Sequence, residues 1–449
     1  MEIKQFIEEN IENMKADLAK LVSYNSVNSN DELPFGSNNR KVLDEALKLM
    51  EEKGLKTNNV DYYCGFGETG KGDKLIGILA HLDIVPAGDG WNSNPFEMIE
   101  KDGFLYGRGV SDDKGAAIAS MYALKYLIDE NYDFKKKVRL ILGCNEETGS
   151  RCIAYYVSKY GHIDYGFTPD GSFPGIYAEK GMVGASIIGH TNKIIDIEGG
   201  QASNVVMKKV DVKLANDSFD IDKFKKYLDS KDIEYEININ DNTQIIVYGV
   251  AAHASMPDMG INALQYCFEA LYHSDFNDPF IDWFHKYFSL DVHGETLGYE
   301  SLKDDISNTS INLGIVKKEN DDVIISLDMR FPVKAKTEDV VKLLNVSNEY
   351  GEIKIRNTVD PLYFDINSPM IKALKKAYED VTNDKQTPME AIGGGTYAKA
   401  INNCIAFGCE FIGENNHIHD ANESLKIENF KKQVELYVQA IKNLNEIED

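Results

Sequence analysis

The chain has 449 residues, 43% of them hydrophobic, and carries 73 acidic against 48 basic side chains for a formal net charge of -25. That length can fill two or three domain cores, and the charge would repel a phosphate backbone or an anionic bilayer, which argues against nucleic acid and membrane surfaces as partners. Six cysteines (Cys64, Cys144, Cys152, Cys267, Cys404, Cys409) include no C-x-x-C pair, so neither a disulfide framework nor a thiolate zinc site is expected.

Residues 2–22 alternate charged and apolar residues at helical spacing without the continuous apolar core of a signal peptide, which predicts an amphipathic helix and a cytoplasmic protein. No run approaches the ~18 apolar residues of a membrane span. A second helix is predicted over 41–53, stopped by Gly54. GFGETG at 65–70 matches G-x-G-x-x-G, but a strand follows it where a dinucleotide site needs a helix, so it reads as a glycine-rich turn between strands. The apolar runs LIGILA (75–80) and VRLILG (138–143) are predicted strands flanking a helix over 114–130, the order of an α/β layer.

From about Ala178 the pattern changes. ASIIGH, KVDVKLA, TQIIVYGVA, TSINLGIV and DVIISLDMRFP read as strands, with one clear helix in INALQYCFEALYH, and together they suggest a separate α+β unit. Near Ser368, a candidate N-cap with Pro369 at the first helical position, the earlier pattern returns. The expected organisation is a catalytic domain made of residues 1–177 and 366–449, split by an inserted domain over 178–365.

Ionisable residues collect where predicted strands end or helices begin: AHLD (80–83), GRGVSDDKG (107–115), CNEETGS (144–150), FTPDG (167–171) and HIHDANE (417–423). Each has a plainer account, as a hydrogen-bonded structural histidine, a helix cap, a solvated acid or a turn residue. Three features favour chemistry. Asp83 shares a face with His81 and can accept its second ring N–H, the usual support of a metal-bound histidine. Asp112 and Asp113 are two aspartates where one would cap. Glu146 and Glu147 are adjacent carboxylates at the end of a buried strand, which repel each other unless cations or protons offset them.

Together His81, Asp112, Glu147, Asp170 and His419 offer nitrogen and oxygen donors without sulfur, a set suited to zinc, manganese or cobalt. They are too many for one catalytic zinc with an open position and suit two metals sharing a carboxylate. Glu146 is then left free to act as a base.

HLD followed by VPAGDGW, then GRGVSDDKG, EETGS, PDG, AAHASMP, GGGTYA and H-x-x-N-E occur in the order found in the di-zinc exopeptidases that include carboxypeptidase G, aminoacylase and acetylornithine deacetylase. Over about residues 75–423 the sequence most resembles the PepV-like dipeptidase branch of that family. The resemblance implies an α/β, zinc-exopeptidase-like catalytic domain, a mixed sheet flanked by helices, with an inserted α+β lid domain. It implies that His81, Asp112 and Asp170 bind one metal ion and Asp112, Glu147 and His419 another. Asp112 would be the bridge, Asp83 the support of His81, and Glu146 the general base. In the lid, His253 matches a histidine that stabilises the oxyanion and Arg330 a residue that clamps the substrate carboxylate. Asn204, Gly394 and Gly395 match substrate-contacting positions. Without the resemblance His253 reads as a turn histidine and Arg330 as a surface salt bridge on an edge strand.

HIHDANE holds two histidines; His419 alone fits H-x-x-N-E, with His417 as the alternative. Lys399 stands where the dipeptidase pattern usually has arginine, and Arg151-Cys152 where an acid is common, which bears on substrate preference because lysine offers a point charge in place of a planar fork. The expected function is a metal-dependent dipeptidase acting on small peptides with a free N-terminus, using two divalent ions, zinc before manganese or cobalt. A monomer is expected to suffice. The alternatives are an N-acyl amino acid deacylase of the same fold and a non-catalytic peptide- or metal-binding paralogue.

Overall fold

In a computed structural model, residues 1–448 are described, and they divide into two compact units. The first comprises Met1–Tyr177, Phe364–Glu390 and the chain from Gly395 onward; the second comprises Ala178–Tyr363 and Ala391–Gly394. The sequence-based division leaves Ala391–Gly394 with the catalytic domain. These residues group with the second unit because Lys180 N donates to Ile392 O (3.0 Å) and Arg330 Nη1 to Gly393 O (3.2 Å).

The first unit is built on a mixed sheet whose core is parallel. Strand Leu75–His81 lies between Lys137–Gly143 and Tyr165–Thr168, parallel to both, and Cys404–Ala406 runs parallel beside Tyr165–Thr168. The sequence predicts this centre well, because strands covered on both faces are continuously apolar. All four parallel strands therefore end at one edge, where α/β sheets bind ligands. The antiparallel strands Lys56–Val60 and Cys64–Gly70 extend the other side of Lys137–Gly143. Helices Lys114–Asp129 and Ile427–Asn445 pack on the sheet, Ile3–Val22 packs on both of them, and Pro369–Thr382 packs on Ile427–Asn445.

GFGETG is not a turn. It forms the strand Cys64–Gly70, and its glycines serve packing: a Cβ on Gly65 would come within 2.8 Å of Leu47 Cδ2, and one on Gly67 within 2.8 Å of Met50 Sδ. Helix Ser37–Glu52 thus lies directly against the backbone. That helix starts before the predicted residue 41 because its first turn, Ser-Asn-Asn-Arg, is polar and gives no periodic signal, while Asp31 fastens Ser37 through its N–H (3.1 Å) and hydroxyl (2.5 Å). Ser368 precedes helix Pro369–Thr382 but makes no capping bond.

A three-stranded sheet pairs Ser424–Lys426 with Phe104–Tyr106, and the latter with Ile99–Lys101. This brings HIHDANE beside GRGVSDDKG across some three hundred residues of sequence.

The second unit is an eight-stranded sheet, antiparallel throughout, in the order Tyr235–Ile239, Thr243–Tyr248, Lys209–Leu214, Ile194–Gly199, Ser310–Glu319, Asp322–Phe331, Gly181–His190, Gly351–Val359. Gly181–His190 alternates buried and half-buried residues, as a sheet with one covered face requires. The predicted single helix is Ala263–Tyr272; Ile221–Ser230, Pro279–Tyr287 and Thr337–Leu343 are helices as well. They are only 10, 9 and 7 residues long, too short for the apolar period to stand out along the chain.

Candidate active site

The parallel edge of the first unit gathers the ionisable segments. His81 ends strand Leu75–His81 and pairs in register with Gly143, so the turn carrying Glu146 and Glu147 emerges alongside it. Asp170 follows strand Tyr165–Thr168, and Cys409 and Glu410 follow Cys404–Ala406. Asp112 closes the loop before helix Lys114–Asp129, and its peptide bond to Asp113 is cis. Neither aspartate caps that helix; Asp113 instead accepts the backbone N–H of His81 through Oδ2 at 3.0 Å.

Each oxygen of Asp112 faces a histidine. Oδ1 is 3.0 Å from His81 Nε2, and Oδ2 is 2.8 Å from His419 Nε2, which also lies 3.3 Å from Glu147 Oε2. Donor atoms of His81, Asp112 and Glu147 lie within 4.8 Å of one another, as do those of His81, Glu146 and Asp170. A cavity of about 220 Å³ opens over this group, lined by Asp112, Glu146, Glu147, Asp170, Glu410 and His419 among others. His417 lies outside that lining; its backbone N–H bonds to Asn415 and its carbonyl to Asp420 N.

His81 is oriented through its other nitrogen, with a correction to the sequence reading. Nδ1–H donates to the main-chain carbonyl of Asp83 (3.0 Å), while the Asp83 carboxylate is farther, at 3.6 Å. The carboxylate is fully buried and takes nearer donors: Glu146 N (3.0 Å), Glu147 N (3.2 Å) and Asn28 Nδ2 (3.2 Å). Asp83 therefore positions the glutamate pair with its side chain and His81 with its backbone. Either way Nε2 is the nitrogen presented to Asp112.

Burial would raise the Asp112 carboxyl, but hydrogen bonds from His419 and then His81 outweigh it and hold it below the usual carboxylate range. His419, half exposed, is pushed up to about 10 by Asp112 and Glu147. Burial pushes Glu146 up to about 7, with the charges of Glu147, Asp83 and Asp112 adding to it, and drives Asp170 up as well, where Asp112 is the next contributor. The acids thus keep their charge only where a cation or a protonated imidazole stands between them. Glu147 Oε1 is buried without a hydrogen-bond partner, an orphaned acceptor that needs such a cation. The donor set fits divalent ions of the zinc, manganese and cobalt type.

Three residues absent from the predicted set hold the site. Glu423, fully buried, accepts from Gly109 N (2.9 Å), Ser111 N (2.9 Å), Asp112 N (3.1 Å) and Arg108 Nη1 (2.8 Å), and so ties the Asp112 loop to the segment bearing His419. Tyr397, in GGGTYA, sets its ring edge-on to His81 at 6.0 Å, with its hydroxyl 3.1 Å from Cys152 Sγ. Asn28 joins Asp83 to the carbonyl of Cys144 (3.2 Å each). Glu423 stood in the H-x-x-N-E motif; nothing local marked Asn28.

Within the second unit, Ser255 N donates to His253 Nδ1 (3.2 Å), which leaves the ring proton on Nε2, and burial together with the Arg330 charge lowers its pKa. Asn204 adjoins it through Ala254 N donating to Asn204 O (2.9 Å). Arg330 is not on an edge. Asp322–Phe331 lies between Ser310–Glu319 and Gly181–His190, and Arg330 is only 5% exposed, with Nε and Nη2 on Asp328 (2.7 and 3.1 Å). Gly394 belongs to this unit, and Gly395 to the lining of the first unit's cavity beside Lys399.

A mixed α/β sheet with a His, Asp and Glu cluster at its carboxyl edge defines a metallohydrolase. Residues 77–443 match the model of peptidase family M20/M25/M40, and the chain belongs to that family of metallopeptidases. A protein of Staphylococcus haemolyticus, provisionally named a dipeptidase, is 30% identical over 451 residues, covering 95% of this chain and 96% of its own. Among solved structures, human carnosine dipeptidase 1 matches with a TM-score of 0.62 at 16% identity, covering 99% of this chain and 98% of that one. A dinuclear metal binding peptidase from Bacillus subtilis matches with a TM-score of 0.53 at 12% identity, covering 98% and 99%. Among the described residues, no helix is long and apolar enough to cross a membrane.

Proposed function

We propose that this metallopeptidase is a dipeptidase that binds two divalent ions and hydrolyses dipeptides with a free N-terminus. The observation that carries the reading is Asp112, with one oxygen toward His81 and the other toward His419, beside Glu147 and Asp170 at one sheet edge. His81, Asp112 and Asp170 would hold one ion, and Asp112, Glu147 and His419 the other. Bound there, the ions would polarise the scissile carbonyl and acidify a water.

The residues supply the rest. Glu146, left outside the proposed ligand set, would be the base that takes the proton of the attacking water and returns it to the leaving amine. Asp83 holds Glu146 and Glu147 by their backbone N–H groups, so base and ligand keep their spacing. His253, neutral with its proton on Nε2, suits a developing oxyanion, which needs a donor. Arg330, fixed by Asp328, would take the substrate's terminal carboxylate, with Asn204, Gly394 and Gly395 contacting the peptide. The provisional dipeptidase name of the staphylococcal relative and the dipeptidase named among the structural matches support this substrate class.

The test is hydrolysis of unblocked dipeptides, tripeptides and N-acetyl amino acids by the zinc- or manganese-loaded protein, alongside Glu146→Ala. Dipeptide cleavage abolished in the variant is expected. Activity on acylated substrates alone would make the protein a deacylase, and none at all a binding protein.

A further inference from the structure

One carboxylate on the cavity wall has no part in the proposed chemistry. Glu410 follows the fourth parallel strand, and its backbone is fixed on both sides: its N–H donates to Gly171 O (3.0 Å) and its carbonyl accepts from Phe173 N (2.9 Å). Its side chain lines the same cavity as Asp112, Glu146, Glu147, Asp170 and His419, and no lysine or arginine lines it. Among the described residues nothing donates a hydrogen bond or forms an ion pair to this carboxylate. Three enclosed acids elsewhere in the first unit are partnered: Glu423 by Arg108, Asp17 by Lys53, and Glu390 by the hydroxyl of Ser172 at 2.6 Å. The charges acting on Glu410 are those of Asp112 and Glu390 against the histidine His419.

The charge balance identifies what is missing. Five carboxylates line the cavity, and four of them are the proposed ligands Asp112, Glu147 and Asp170 and the base Glu146. Two divalent ions would offset those four, leaving the Glu410 charge uncompensated. An enclosed, unpaired carboxylate is costly, and a substrate that brings a cation to it gains a charge-assisted hydrogen bond in a site partly shielded from water.

We propose that Glu410 receives a cationic amino group of the residue on the N-terminal side of the scissile bond, namely the free α-ammonium of the dipeptide. The assignment rests on the dipeptidase reading and adds the residue that would separate dipeptides from N-acyl amino acids. An acylated nitrogen is neutral and offers a single N–H, so it would leave Glu410 enclosed and uncompensated, and the site selects against it.

The experiment compares wild type, Glu410→Gln and Glu410→Asp, each manganese-loaded with its metal content measured, on alanyl-alanine, lysyl-alanine and N-acetylalanine. The glutamine variant keeps the shape and removes the charge. It is expected to raise KM for alanyl-alanine about ten- to a hundredfold, the range for losing one charge-assisted hydrogen bond, with kcat and metal content near wild type. The aspartate variant is expected to recover part of the loss, and any slow turnover of N-acetylalanine to be unaffected. Unchanged KM in the glutamine variant, or lost metal with unchanged KM, overturns the assignment. A defect confined to lysyl-alanine overturns it in favour of a cationic side chain. A wild-type enzyme that cleaves no unblocked dipeptide removes the dipeptidase reading itself, a failure visible without any variant.

Discussion

Replacing Glu423 by alanine should cost the first unit much of its stability, for reasons set by four hydrogen bonds. The carboxylate is fully buried and Arg108 is 1% exposed, with its Nε already lacking a partner. Removing the acid strands the guanidinium in the interior, which costs ~3–5 kcal/mol when one member of a buried pair is deleted. It also orphans the N–H groups of Gly109, Ser111 and Asp112, each worth ~1–3 kcal/mol, less what water entering the space recovers. A loss of about 5 kcal/mol is therefore expected, comparable with the whole stability of a typical domain. Glu423→Gln keeps the shape but turns an amide N–H₂ toward donors and should cost about half as much. The double variant Arg108→Met, Glu423→Met should be more stable than Glu423→Ala alone, because no charge is left unpaired. Urea midpoints at fixed metal concentration, with m-values to confirm a comparable transition, measure all three. A shift below about 1 kcal/mol for Glu423→Ala, or a double variant that merely adds the single costs, would refute the reasoning.

Metal removal should be most damaging at high pH. Without ions, Asp112 and Glu147 raise His419 to about 10, while His81 is raised by Asp112 against the effect of burial. Relative to an unfolded histidine near ~6.5, that stabilisation is complete below about pH 6.5 and is lost as pH rises through about 10. Glu146, at about 7, adds a loss in the same direction. Ions compete with those protons, so the melting-temperature gap between loaded and chelated protein should widen from pH 6 to pH 9, and a gap that narrows would contradict the ligand set. Gly166→Ala would place a Cβ 2.3 Å from the carbonyl of Gly77 on the adjoining parallel strand, and should lower the melting temperature by several degrees, about 1–3 kcal/mol; an unchanged melt would show that the strands can part freely. All six cysteines are buried, with Cys152 raised to about 11 and Cys267 to about 12 chiefly by burial, so a thiol reagent at pH 8 should leave the native protein unmodified and titrate six thiols after denaturation. Fast modification of any native thiol would place that residue at the surface.

The strands Leu75–His81 and Lys137–Gly143 and the helix between them were legible because continuous apolar runs and long periodic segments report burial directly. The stretch GFGETG misled, since its glycines answer to Leu47 and Met50 on a helix that packs there, a fact no local pattern contains. Arg330 misled in the same way: strand order, not strand sequence, made its position central. The short helices of the second unit were missed because each has only two or three turns, too few for a period to stand out from the strands around it.

For the candidate site the division is similar. The sequence by itself determined which donors are available, because strands built for burial ended in His81, Glu146, Glu147 and Asp170, residue types that interiors reject unless they are compensated. Only the tertiary structure decided how those donors meet. Parallel pairing set His81 beside Gly143, a three-stranded sheet drew Glu423 and His419 back to the Asp112 loop, and the Asp83 carboxylate went to the glutamate backbone in place of the histidine. The reason is physical. Burial is largely a property of each residue's own chemistry, whereas a hydrogen bond or a shared carboxylate depends on distances of about 3 Å between segments that only the folded chain brings together.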